Sequence, residues 1–260
     1  MIVFAAIVPH PPLSIPGIGR KEDFEALSRT MQALDVLREG LEQAKPDVVI
    51  VISPHAYMEP YSFTINSAET LTGSLAAFGL DETFSYTNNI EVVDRLSFAC
   101  MVNELPAHLH PSFLDHGTII PLYHLLKDIS PSVVQLSFSL MSYERHFRYG
   151  QIISNVISGE EGKRIAIIAS GDLSHRLAPN SPAGYSETAE NFDRTIIHYL
   201  GTKDIASITG MHEEIAREAA ECGARSFMVL LGALQGKKYE FNLLSYESPF
   251  GIGYLTARLA

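Results

Sequence analysis

Two periods of apolar residues run along the chain. Ile2–Val8 and residues 48–52, 133–138 and 164–169 are short, near-continuous apolar runs rich in β-branched side chains. Such runs predict strands buried on both faces. Between them the apolar positions recur at helical spacing. Residues 24–44 place Leu27, Met31, Leu34, Leu37 and Leu41 on one face, and Pro46 stops the run. The same period predicts helices over 90–105 and 143–158, a short one over 122–128, and three further pieces near 186–200, 212–220 and 225–234. Phe63–Asn66 and residues 83–86 read as weaker strands. Residues 239–246 and 253–259 read as a closing antiparallel pair across the turn Ser248-Pro249-Phe250-Gly251.

Strands alternating with helices predict an α/β fold. Its central sheet is mostly parallel and flanked by helices, with antiparallel C-terminal strands. No repeat, low-complexity tract or linker interrupts the pattern, so residues 1–260 are expected to form a single domain.

Composition narrows the function classes. The net charge of -11 offers no basic patch to neutralise phosphates, which argues against a nucleic-acid partner. The apolar runs are too short to span a bilayer. The first residues lack a basic n-region, and Pro9, Pro11 and Pro12 would break a signal helix. No membrane association and a cytoplasmic location are therefore expected. The two cysteines, Cys100 and Cys222, make neither a disulfide framework nor a CxxC zinc motif.

The candidate chemistry lies in histidines. His10, His55 and His175 each follow a strand-like run, in Pro9-His10-Pro11-Pro12, Ser53-Pro54-His55-Ala56 and Gly171-Asp172-Leu173-Ser174-His175. A strand that ends in a histidine loop holds the imidazole at a sheet rim, where α/β proteins bind ligands. Imidazole serves both as a metal ligand and as an acid/base group, so a metal-dependent enzyme is the first expectation. His116 lies in a similar polar loop. His108 and His110 form an HxH pair with no core strand before them. His124, His146, His198 and His212 read as packing or surface residues. A lone loop histidine is more often solvated than ligating; several at strand ends weaken that reading for the set. Two histidines need a third ligand, and a carboxylate there would complete the facial set that binds Fe(II) with open positions. Asp172, Asp115, Glu213, Glu214, Glu218 and Glu221 are the candidates. The dinucleotide fingerprint, the P-loop, HExxH and the GxSxG elbow are all missing from the sequence.

Pro9-His10-Pro11-Pro12-Leu13, Ser53-Pro54-His55, Asp115-His116-Gly117 with Pro121-Leu122, and Ser170-Gly171-Asp172-Leu173-Ser174-His175-Arg176-Leu177 resemble the class III (LigB-type) extradiol ring-cleavage dioxygenase superfamily. The closing Glu247-Ser248-Pro249-Phe250-Gly251-Ile252-Gly253-Tyr254 is similar to its Memo-like branch. The resemblance implies a phosphorylase/hydrolase-like sandwich and non-haem Fe(II) held by His10, His55 and a late glutamate, best matched by Glu221. It implies His175 as acid/base and His116 as a second histidine contacting substrate or dioxygen. The reaction would be dioxygen insertion beside the two hydroxyls of a catechol-type ring, in aromatic compound catabolism, and a homo-oligomer would be expected. The Memo-like branch carries a cysteine near the late glutamate position, and Cys222 stands beside Glu221. A thiolate there would favour copper or zinc over Fe(II). A Memo-like metal-binding or protein-interaction module without ring cleavage, and a zinc hydrolase using the same histidines, are the alternatives.

Overall fold

The computed structural model describes residues 1–160 and 162–260. The strands in chain order are β1 (Ile2–Val8), β2 (Val48–Ser53), β3 (Phe63–Asn66), β4 (Thr70–Leu75), β5 (Leu80–Thr87), β6 (Ala107–His110), β7 (Ser132–Ser137), β8 (Ile165–Ser170), β9 (Asn242–Glu247) and β10 (Tyr254–Arg258). Eight of them form one sheet in the order β6-β3-β7-β2-β8-β1-β10-β9, and β4 and β5 pair apart from it. The four β-branched runs become the central parallel block β7-β2-β8-β1. β10 joins β1 antiparallel, and β9 joins β10 antiparallel. Ile50, Ile167 and Ala5 bury one face; Val49, Val51, Ile168 and Phe4 bury the other. The sandwich is thus built because these strands have no side that can face water.

Helices α1 (Lys21–Ala26), α2 (Ser28–Ala44), α3 (Ile90–Val102), α4 (His116–Leu125), α5 (Tyr143–Ser158), α6 (Ala189–Thr202), α7 (Ile205–Thr209), α8 (Glu213–Ala219) and α9 (Ala224–Leu234) complete the chain. Leu37 and Leu41 of α2 and Ile119 and Ile120 of α4 pack on one side of the sheet, and the apolar faces of α3, α5, α6 and α9 on the other. None of the described helices is long and apolar enough to cross a membrane.

Several elements differ from the sequence pattern. The run 24–44 is broken at Leu27, whose ψ of 14° departs from helical geometry and separates α1 from α2. The short helix expected over 122–128 begins at His116 and ends at Leu125. Asp115 caps it by accepting the Thr118 N–H, while Pro121 sits inside it and disguises the continuity. Residues 83–86 extend to β5, paired with the unpredicted β4. His108 and His110 lie on a short strand, β6, that the sequence pattern does not predict.

His124 gives the fold a pH signature. It is buried, its Nε2 lies 2.9 Å from Ser14 Oγ, and burial pushes its pKa down to about 4. The folded value lies below the unfolded one, so the unfolded chain takes up the extra proton. The stability it supports is therefore present above pH ~6.5 and is lost as pH falls through about 4. We expect the unfolding free energies of the wild type and His124→Gln, followed by urea denaturation, to differ by a constant amount above pH ~6.5. Below that the difference should shrink or reverse, by on the order of 2–3 kcal/mol at full effect. A difference independent of pH would contradict this assignment.

Candidate metal centre and active site

β8 lies between β1 and β2, and the chain leaves all three at the same end of the parallel block. Ser53, Ser170 and the His10 segment thereby reach the same rim, the carboxyl edge where α/β folds place ligands. His10 is nearly fully buried there. Its backbone N–H donates to Asp172 Oδ1 at 3.0 Å, and its Nδ1 lies 3.0 Å from Ser170 Oγ. With Nδ1–H donating to Ser170, Nε2 presents a free lone pair.

His10 Nε2 is the hub of the site. His55 Nε2 lies 3.2 Å from it, Asp172 Oδ2 3.5 Å and Cys222 Sγ 3.7 Å. Two groups of metal-ligating atoms share this nitrogen: His10 with His55 and His116, and His10 with Asp172 and Cys222, each group lying within 4.8 Å. Metal–nitrogen bonds of 2.0–2.1 Å and a metal–sulfur bond of 2.3 Å would set two ligand nitrogens roughly 3.3 Å apart, and nitrogen and sulfur roughly 3.6 Å apart, around one tetrahedral ion. The two edges seen at His10 match these spacings, so each group by itself offers donors of the kind and spacing a divalent transition metal takes. His55 and Cys222 belong to different groups, which meet only at His10.

Electrostatics favours neutral donors. Burial lowers the His10 pKa well below its ordinary value, and the nearby His55, His116 and His175 lower it further. Desolvation also lowers His55, with His116 adding to it, and lowers His116 and His175. Unprotonated imidazoles are the form that binds a metal. Burial raises Asp172 to about 7 and holds the Cys222 thiol well above its ordinary value. In both cases burial disfavours the charged form, which a bound cation would favour.

His116 opens α4, and its ring stacks on His55 with centroids 4.2 Å apart. Asp115 fixes this corner. Its carboxylate accepts from Ser53 Oγ at 2.6 Å, Thr118 Oγ1 at 2.9 Å and Gln135 Nε2 at 2.8 Å. Gly117 must lack a side chain here, since a Cβ would lie 2.6 Å from Ser53 Oγ and 3.3 Å from His55 Cδ2. His175 comes from the loop after β8. Its Nδ1–H donates to the Leu173 carbonyl at 3.1 Å, which leaves Nε2 as a proton acceptor. Asp193 steadies that loop by accepting the Ser174 N–H at 2.9 Å and the Tyr246 hydroxyl at 2.7 Å.

Glu221, the third ligand that the resemblance implies, is not gathered with the histidines. Its carboxylate accepts the Ala224 N–H at 2.6 Å at the start of α9, and it belongs to neither group of ligating atoms. Ala220, at φ 53°, turns the chain after α8, and the next-but-one residue, Cys222, is the one presented to His10. A close approach fixes this: a Cβ on Gly171 would stand 2.2 Å from Gly223 Cα. The two loops lie backbone against backbone, and the Asp172 N–H donates to Cys222 Sγ at 3.3 Å. His108, 3.0 Å from Ser62 Oγ, and His110, stacked on Tyr57, join neither group, so the HxH pair is not gathered with other ligands.

Comparison with known proteins decides the family. The model of the catalytic LigB subunit of aromatic ring-opening dioxygenase matches residues 4–257. The chain belongs to the LigB family. A protein of Clostridium acetobutylicum whose name states no activity is 29% identical over 265 residues, covering 97% of this chain and 56% of that protein. The chain thus spans little more than half the length of that relative. The 3,4-dihydroxyphenylacetate 2,3-dioxygenase of Escherichia coli is 27% identical over 221 residues, 78% of this chain and 79% of the enzyme. The beta subunit of a Pseudomonas 2-aminophenol 1,6-dioxygenase is 24% identical over 280 residues, 97% of this chain and 92% of the subunit. An uncharacterized protein from Escherichia coli K12 shares the fold, with a TM-score of 0.71, 17% identity and 99% of both chains covered.

Within this LigB chain, Asp172, one of the candidate carboxylates for a third ligand, both faces the cluster and orients it. Oδ1 orients the His10 backbone, and Oδ2 faces His10 Nε2. Ser170 has no role of its own in the sequence reading, only a place in the Ser170–Leu177 motif. Its position as the last residue of a buried strand beside a histidine loop is the signal that could have found it.

Proposed function

We propose that this LigB protein is an Fe(II)-dependent extradiol dioxygenase that opens a catechol-type or related small aromatic ring. The observation that carries the reading is the convergence of His10, His55 and His175, from the loops after the adjacent parallel strands β1, β2 and β8, with His116 at the start of α4. It is supported by family membership and by relatives named for cleaving a dihydroxyphenylacetate and an aminophenol. His10 and His55 serve as ligands. The third is drawn from the 221–222 turn, and we assign it to Cys222 because its sulfur, not the Glu221 carboxylate, faces His10.

Fe(II) bound here would supply Lewis acidity and neighbouring open positions where ring oxygens and dioxygen meet. The chain's own residues do the rest. His175, kept neutral by desolvation, takes a hydroxyl proton from the substrate at Nε2 and later returns it. The Leu173 carbonyl fixes the tautomer that makes this available. His116 flanks the ring-binding side, held by its stacking on His55. Ser170 and Asp172 orient His10. A small aromatic substrate and dioxygen are the partners. A cytoplasmic, homo-oligomeric protein fits this role, and the chain is similar to both the alpha and the beta subunit of the Pseudomonas aminophenol enzyme.

One observation favours a second reading. A thiol beside the Asp172 carboxylate softens the donor set toward copper or zinc, which suits a Memo-like metal-binding protein without ring cleavage. Oxygen uptake by the anaerobically purified, Fe(II)-loaded protein with a panel of catechols and 2-aminophenol separates the two. Substrate-dependent uptake is expected. Its absence from protein holding one iron per chain would favour the second reading.

A further inference from the structure

Phe78 is a hydrocarbon ring set against the histidine cluster. It lies in the turn that joins β4 to β5, outside the main sheet. Its ring meets His116 edge-on with centroids 5.0 Å apart, and His116 in turn stacks on His55.

The hairpin is fastened to the segment that carries His116. The Leu114 N–H donates to the Thr72 carbonyl at 2.8 Å, and a bridge joins Gly73 to Leu114. A Cβ on Gly73 would stand 2.4 Å from the Leu114 carbonyl oxygen, so the two backbones touch. Leu71 and Leu75 root β4 in the core. Across the turn, Leu80 Cδ1 lies 3.3 Å from the Cβ position of Gly17, in the loop that follows His10. The hairpin therefore spans from the His10 loop to the start of α4. Phe78 is held at this place by fixed backbone contacts, yet 38% of its surface stays open to solvent. An apolar ring left open beside His116 has no evident packing purpose of its own.

We propose that Phe78 is a specificity-determining residue: it forms the apolar wall against which the substrate's aromatic ring packs, so the site prefers a flat aromatic chelator to an aliphatic one. The inference rests on the ring-opening reading above and adds the residue that recognises the ring. Aromatic rings in offset or edge-to-face contact attract each other beyond the area they bury, and such a contact shifts affinity by about tenfold. The hairpin and Phe78 make no contribution to the proposed ligand set, so metal binding should be indifferent to the substitution.

The test is a binding titration. Protein loaded anaerobically with Fe(II) is titrated with 4-nitrocatechol, followed by the change in its absorbance on chelation, and in parallel with acetohydroxamate, a two-oxygen chelator without a ring. Phe78→Ala is expected to weaken 4-nitrocatechol about tenfold and leave acetohydroxamate and iron content unchanged; Phe78→Leu should fall between. Equal affinity of wild type and Phe78→Ala for 4-nitrocatechol would overturn the proposal. Equal loss for both chelators would also overturn it, since Phe78 would then act only through His116. Failure of the wild type itself to bind 4-nitrocatechol while binding acetohydroxamate would overturn the ring-opening reading, and this inference with it.

Discussion

Alanine at His10 or at His55 should leave the protein unable to hold its metal. His10 Nε2 belongs to both groups of ligating atoms, so removing it dismantles both at once. His55 provides the nitrogen 3.2 Å away that completes the matching pair. We expect metal content after gel filtration, measured by atomic emission, to fall from one ion per chain to near zero in either variant. The loss exceeds what orienting residues cause. Ser170→Ala removes only the hydroxyl that fixes the His10 ring, and a loss of roughly 10–100-fold in affinity is the measure of such a partner. Full occupancy in His10→Ala or His55→Ala would remove the ligand assignment.

His175→Ala should slow turnover severely and keep the metal. His175 lies outside both ligating groups, yet it is close enough that its charge depresses His10. Removing a general acid/base costs roughly 10²–10⁴ in rate, so kcat should drop by that much at unchanged metal stoichiometry. Desolvation holds the His175 pKa below its ordinary value. The neutral, proton-accepting form therefore persists to lower pH than for a free imidazole, and the acid limb of the wild-type rate profile should fall below pH ~6.5. Loss of metal from His175→Ala would recast it as a ligand, and undiminished turnover would take it out of the mechanism.

The β-branched runs made the central block legible, because a strand buried on both faces leaves no polar alternation to confuse it. The histidines at the ends of β1, β2 and β8 followed from that. What stayed hidden has local physical causes. β5 exposes most of its residues, and the β4–β5 hairpin pairs apart from the main sheet, so its apolar signal is thin. Phe78 was invisible for the same reason. α4 starts at a His-Gly pair and contains a proline, both of which read as loop. The choice between Glu221 and Cys222 depends on one left-handed residue, Ala220, which resets the direction of the chain after α8. No periodicity in the sequence reports such a turn.

The central claim is a metal centre built on His10 and His55 and closed by Cys222. The most direct test is an anaerobic metal titration of wild type, Cys222→Ala and Glu221→Ala side by side, with Co(II) as a spectroscopic probe. We expect wild type and Glu221→Ala to bind one ion with a thiolate-to-metal charge-transfer band, and Cys222→Ala to lose that band together with most of its affinity. Glu221→Ala losing the metal while Cys222→Ala keeps it would contradict the account and return the third ligand to the carboxylate.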